Sequence, residues 1–142
     1  MTSIPDYMTA KHRECDEVFS LAESNAAAGD WPLASVNWQV FKDELLTHFN
    51  QEEEMLFPVF EQATGMTGGP THVMRMEHQQ MRSLLQDIDQ TIKNQDKNTY
   101  LGLSETLMVM MQQHNMKEEM MLYPMMAQHL AQGEEIIESF KA

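Results

Sequence analysis

Along the chain, apolar positions recur in alternating steps of three and four within four separate stretches. Met8, His12, Cys15, Phe19 and Ala22 form the first stripe, and Trp38, Phe41, Leu45, His48, Glu52, Met55 and Val59 the second. Met74, His78, Met81, Leu85, Ile88 and Ile92 form the third, and Leu107, Met111, His114, Glu118, Met121 and Met125 the fourth. This is the spacing of one face of an α-helix, and no stretch sustains the period of two that a strand needs. Breakers separate the stretches: Gly29-Asp30-Trp31-Pro32, the segment from Thr64 to Pro70, and Asn94 to Asn98. Gly29 suits a helix end, Asp30 a helix start and Pro32 a first turn. Short connections make consecutive helices antiparallel, so the pattern predicts an all-α, up-down four-helix bundle. One domain over 1–142 is expected, with the bundle at about 5–131 and a short tail, 133–142, carrying Ile136, Ile137 and Phe140.

Six polar residues stand where the stripes call for apolar ones: His12, His48, Glu52, His78, His114 and Glu118. An ionised carboxylate in a bundle core costs several kcal/mol unless something compensates it, in the sense of about the effective penalty per buried ion. A metal ion compensates imidazoles and carboxylates together. The six also repeat. His12 to His78, His48 to His114, Glu52 to Glu118, Glu53 to Glu119 and Pro58 to Pro124 all share an offset of 66 positions. The run from His48 to Pro58 returns as the run from His114 to Pro124. The chain thus reads as two helix pairs in tandem, each giving one His from its first helix and His-x-x-x-Glu from its second.

Helical geometry lets these residues converge. At 100° per residue, His48 and Glu52 fall about 40° apart on one face, one turn apart in height. His12 lies 17 residues before Gly29 and His48 19 after it; at 1.5 Å per residue the two differ in height by roughly 3 Å. Between the pairs the match is looser: Glu52 lies 16 residues before Gly68 and His78 10 after it. A kink at Pro58 and slack in 64–69 are expected to absorb the excess.

Composition narrows the partners. Asp+Glu is 22 against 9 Lys+Arg, a formal charge of −13. Such a surface repels phosphate backbones and anionic lipid, so neither nucleic acid nor a membrane is an expected partner. One cysteine excludes an intrachain disulfide and a cysteine-built zinc or iron–sulfur site. With no apolar run of membrane-spanning length and no signal-like start, a soluble cytoplasmic protein is expected. Imidazole and carboxylate without thiolate favour iron or manganese, with zinc admissible.

These motifs resemble the haemerythrin-like, or HHE cation-binding, domains. The resemblance rests on His12, on Glu77-His78, and on the two His-x-x-x-Glu-Glu-x-x-Leu-Phe/Tyr-Pro boxes at 48–58 and 114–124, and it covers roughly residues 8–130. It implies a bundle holding two iron ions with a bridging oxide or hydroxide, and O2, NO or peroxide as the small ligand. His12 and His48 would serve one ion, His78 and His114 the other, with Glu52 and Glu118 bridging. The O2 carriers of the family place a fifth His four residues before the third-helix His, where this chain has Met74, with Met8 as its repeat equivalent. Two similar half-sites, each short of a ligand, are therefore expected, which counts against simple reversible O2 carriage. The carriers' bridging carboxylate five residues after its His would correspond to Glu119; the repeat of Glu52 names Glu118. Glu53, Glu119 or solvent would fill the gap, but both glutamates fall about 100° from the face of their neighbours and read first as solvated residues or outer partners of the ligands.

Three other readings remain: a di-iron oxidase or peroxidase, an iron storage or transfer protein, and a structural zinc bundle. Ferritin-like sites use Glu-x-x-His, which this chain lacks at these positions. His72 and His129 are read as surface residues, Cys15 as a small buried hydrophobe, the methionines around 108–126 as adaptable core packing, and Tyr123-Pro124 as a helix kink.

Overall fold

The computed structural model describes residues 2–141. Among them there are five helices and no strand. Helix α1 is Ile4–Ala27. Helix α2 runs through Trp31–Gln51, a π-helical turn at Glu52–Leu56, and Phe57–Thr64. Helix α3 is Pro70–Lys93. Helix α4 runs through Lys97–Lys117, a second π-helical turn at Glu118–Leu122, and Tyr123–His129. Helix α5 is Gly133–Lys141.

The starts follow from side-chain caps. Ser3 accepts from the Asp6 N–H at 3.2 Å, Asp30 from Leu33 at 3.2 Å and Asp96 from Thr99 at 3.3 Å, each satisfying a backbone donor left free by the first turn. The turn into α2 needs a left-handed residue, supplied by Gly29 at φ 76°. The turn into α4 repeats it with Gln95 at φ 52°, a conformation in which a side chain is strained. Helix α1 packs along α2 and α4, and α3 along α2 and α4.

The two π-turns change the register that the periodicity predicts. Pro58 has no N–H and its ring would meet the carbonyl of Glu54 in a regular helix. The backbone widens just before it: the Phe57 N–H bonds the Glu52 carbonyl, five residues back. Tyr123 does the same to Glu118 ahead of Pro124. One extra residue per turn rotates everything beyond it. Met55 and Met121, expected on the core stripe, are 40% and 60% exposed. Leu56, Phe57, Phe60, Leu122, Tyr123 and Met126 are buried in their stead. The methionine-packing reading fails at Met116, Met120 and Met121, which face solvent, and holds at Met111 and Met126.

The segment after Gly133, read as a tail, is a helix whose Ile136 and Ile137 join a cluster with Ile4, Met8, Phe57 and Phe60. A second apolar cluster contains Phe19, Trp38, Phe41, Leu85, Tyr100 and Leu107. The polar residues of the stripes are in neither cluster: all but His48 occur in sequence between a member of one and a member of the other, as His12 does between Met8 and Cys15, whereas His48 stands between Leu45 and Phe49 of the second.

Candidate metal centre

All six side chains singled out by the stripes are buried, with Glu52, His78 and Glu118 at 0% exposure. They converge from α1, α2, α3 and α4. The donor atoms of Glu52, His78, His114 and Glu118 lie within 4.8 Å of one another, and so do those of His12, His48 and Glu118. The Nε2 atoms of His12 and His48 are 3.0 Å apart, and those of His78 and His114 3.2 Å. The two oxygens of Glu52 face different halves: Oε1 lies 3.1 Å from His78 Nε2 and Oε2 3.7 Å from His48 Nε2. Glu118 Oε1 lies 3.2 Å from both His12 Nε2 and His114 Nε2.

A ring of carboxylates outside the imidazoles holds them. Glu119 meets His12 Nδ1 at 2.7 Å, Glu53 meets His78 Nδ1 at 2.6 Å and Glu77 meets His114 Nδ1 at 2.8 Å. Glu53 is itself clamped by Arg82 at 2.9 and 3.0 Å, and Glu77 bonds Lys117. Glu53 and Glu119 therefore act through the histidines and not beside Glu52 and Glu118. Assigning the ring hydrogens from these partners puts a proton on Nδ1 of His12, His78 and His114. Their Nε2 lone pairs then point inward. For His78 and His114, two bare acceptors face each other, which is repulsive unless a cation, a proton or a metal ion, lies between them.

The electrostatics agree. Burial, then the charge of His12, pushes His48 well below the usual imidazole range. Burial, then His114, brings His78 down to about 4. Burial acts to lower His114 too, but Glu118 and Glu77 outweigh it and raise the ring. Burial and the charge of Glu118 push Glu52 well up. Burial would raise Glu118 as well, yet His114 and hydrogen bonds from Glu52, His114 and His12 hold it well down. One carboxylate of the pair thus keeps a proton, because two buried negative charges at this separation repel. His48 Nδ1, Glu52 Oε1 and Glu118 Oε2 are buried without a hydrogen-bond partner. Such atoms cost free energy in a folded protein and recur where polar groups serve another purpose. Four neutral-capable imidazoles and two carboxylates are a fitting donor set for divalent first-row metals.

Sequence reasoning missed Tyr123. The kink reading leaves it outside the site, but the π-turn rotates it inward beneath Glu118. Its hydroxyl donates to Glu52 Oε2 at 2.6 Å or Glu118 Oε1 at 2.9 Å, and it lies 3.2 Å from His12 Nε2 and 3.3 Å from His48 Nε2. Burial, Glu118 and Glu52 all push the phenol well above its usual range. The repeat partner of Tyr123 is Phe57, buried and stacked near His78 at 5.9 Å. The two halves are therefore not alike, contrary to the expectation from the repeat. The signal in the sequence is a proline six residues after each stripe glutamate. Glu77, Arg82 and Lys117 were also not legible as supporting residues.

His72, His129 and Cys15 join neither donor group. His72 and His129 are exposed. Met8 and Met74 are buried. Cys15 is buried and its thiol is pushed up to about 12 by burial, so it is not a reactive thiolate. A surface cavity of about 310 Å³ reaches His48 between Lys11, Cys15, Glu44 and Gln51.

An all-helical bundle with buried His/Glu groups able to hold an ion is a metal-binding bundle. The chain matches the family model described as the hemerythrin HHE cation binding domain over residues 3–139, and it belongs to that family. Neither the curated proteins nor the solved structures give a significant match. No helix among the described residues is long and apolar enough to cross a membrane.

Proposed function

We propose that the protein is a cytoplasmic, haemerythrin-like non-haem di-iron protein that binds O2 or senses oxidant or iron status. In this reading α1–α2 and α3–α4 are the two helix pairs of an up-down four-helix bundle. His12 and His48 hold one iron, His78 and His114 the other, and Glu52 and Glu118 bridge them. The observation that carries the reading is the pair of imidazole contacts, 3.0 and 3.2 Å between Nε2 atoms, facing two buried carboxylates that each reach both halves.

A bound iron pair supplies one-electron chemistry and open coordination positions for O2, NO or peroxide. The chain supplies the rest. Glu119, Glu53 and Glu77 fix the tautomer and direction of three imidazoles, as outer carboxylates do at metal sites generally. Glu52 and Glu118 balance the charge of the cations. Phe49, stacked 3.9 Å from His78, and the apolar clusters keep bulk water from the donors. The cavity at His48 gives small molecules a route to one half.

Anaerobic loading with ferrous iron followed by rapid mixing with O2, NO or peroxide tests this reading. One oxidation event per iron pair, or saturable binding, is expected. Many rapid turnovers with peroxide would contradict it and favour a di-iron peroxidase.

A further inference from the structure

The repeat holds at the six inward imidazoles and carboxylates and at Glu53 and Glu119. It breaks around them, where Glu77 and Phe49 correspond to Lys11 and Asn115, and at one position that brings a new polar atom in among the donors. Where one half has Phe57, the other has Tyr123. The backbone treats the two residues alike: both follow a π-turn, both precede a proline and both are 0% exposed. The difference is a single hydroxyl, and it lies among donor atoms.

Around a six-coordinate ion with bonds of about 2.1 Å, donors at adjacent vertices stand about 3.0 Å apart. Tyr123 Oη lies 2.6 Å from Glu52 Oε2, 2.9 Å from Glu118 Oε1, 3.2 Å from His12 Nε2 and 3.3 Å from His48 Nε2. His12 Nε2 and His48 Nε2 are themselves 3.0 Å apart, and His12 Nε2 and Glu118 Oε1 3.2 Å. These spacings match a shell of donors around one point. A phenol that only filled the core needs one hydrogen-bond acceptor, and this one meets two carboxylates and two imidazoles.

We infer that Tyr123 is a further metal ligand, serving the ion held by His12 and His48. The inference rests on the metal-centre reading above and deepens it. On coordination the O–H bond is replaced by an oxygen–metal bond. The proton leaves to solvent, no electron is transferred, and the phenolate adds one negative charge beside the cation, which favours the ionised form. The His12/His48 half then has a phenolate donor and the His78/His114 half does not.

The test uses the full chain loaded with ferric iron. Tyrosinate bound to ferric iron gives a visible charge-transfer absorption and resonance-enhanced ring vibrations. The wild type is expected to show both, with the vibrations shifting when the protein is made with ring-deuterated tyrosine. Tyr123→Phe is expected to retain iron and lose both. Wild-type protein holding two irons without these features would overturn the inference alone, as would their persistence in Tyr123→Phe. The labelled wild type answers the question by itself if the variant does not fold. Failure of the wild type to take up any metal would instead overturn the underlying metal-centre reading, and this inference with it.

Discussion

Glu119 and His12, on different helices, are joined by a 2.7 Å contact between Oε2 and Nδ1. The contact fixes which nitrogen of His12 carries the proton and so aims the Nε2 lone pair at the site. Removing such an outer carboxylate costs about 10–100-fold in metal affinity elsewhere. Glu119→Ala is expected to weaken iron binding by about that range in chelator competition. Unchanged affinity would mean that His12 is oriented by packing alone.

Glu52 keeps its proton when no cation is bound, because burial and Glu118 push it well up. Glutamine copies the protonated acid in shape. Glu52→Gln is therefore expected to change metal-free stability by less than about 1 kcal/mol, since one neutral hydrogen-bonding group replaces another of the same shape. The same variant is expected to hold fewer than two irons per chain. Glu118→Ala is expected to lower occupancy as well. Full occupancy in either variant would contradict the bridging assignment.

Metal-free protein is expected to lose stability as pH falls from about 6.5 to 4.5, with a slope of roughly 1 kcal/mol per pH unit. His48 and His78 have lowered values in the folded chain, so in this window the unfolded chain binds two protons that the native chain refuses. Glu52, raised, offsets one of them, because there the native chain is the one that holds the proton. His114, raised, is protonated in both states and contributes nothing to the slope. Urea titrations across the window measure the net uptake. Stability that rises on acidification would show that Glu52 and its neighbours dominate.

Leu56 and Met55 test the π-turn. A regular helix with the predicted stripe buries Met55; the widened turn buries Leu56, at 0% exposure, and leaves Met55 at 40%. Leu56→Ala is expected to cost about 2–5 kcal/mol and Met55→Ala within about 0.5 kcal/mol. Denaturant midpoints separate them, and the reverse order would restore the regular register.

The stripes, the cap at Asp30 and the repeated His-x-x-x-Glu boxes were legible because each depends on local spacing along one helix. The six inward residues were legible for the same reason, as polar interruptions of an apolar face. The π-turns were not. Proline announces a missing N–H, but not whether the helix bends at Pro58 or widens ahead of it. Everything beyond each turn was consequently read one residue out of register, including Tyr123. Glu53 and Glu119 were noticed as the second acid of each box, but not the imidazoles they hold, and Glu77 was not read as a support at all, because all three find their partners on other helices and pairwise contacts across a bundle leave no periodic mark in the chain. The break in symmetry at Tyr123 and Phe57 was visible as two letters, but their meaning depends on which way the backbone turns them.

Metal binding to the native chain alone stabilises it by mass action, so stripping the ions is expected to lower the melting temperature and restoring iron to recover it. An identical melting curve before and after complete demetallation would argue against a buried centre.

Elemental analysis of the purified protein, read beside its near-ultraviolet spectrum, bears most directly on whether four imidazoles and two carboxylates grip a pair of irons. Two iron atoms per chain with oxygen-to-iron charge-transfer bands is the predicted result. Stoichiometric zinc in a colourless protein, or no bound metal after iron is offered anaerobically, would contradict it.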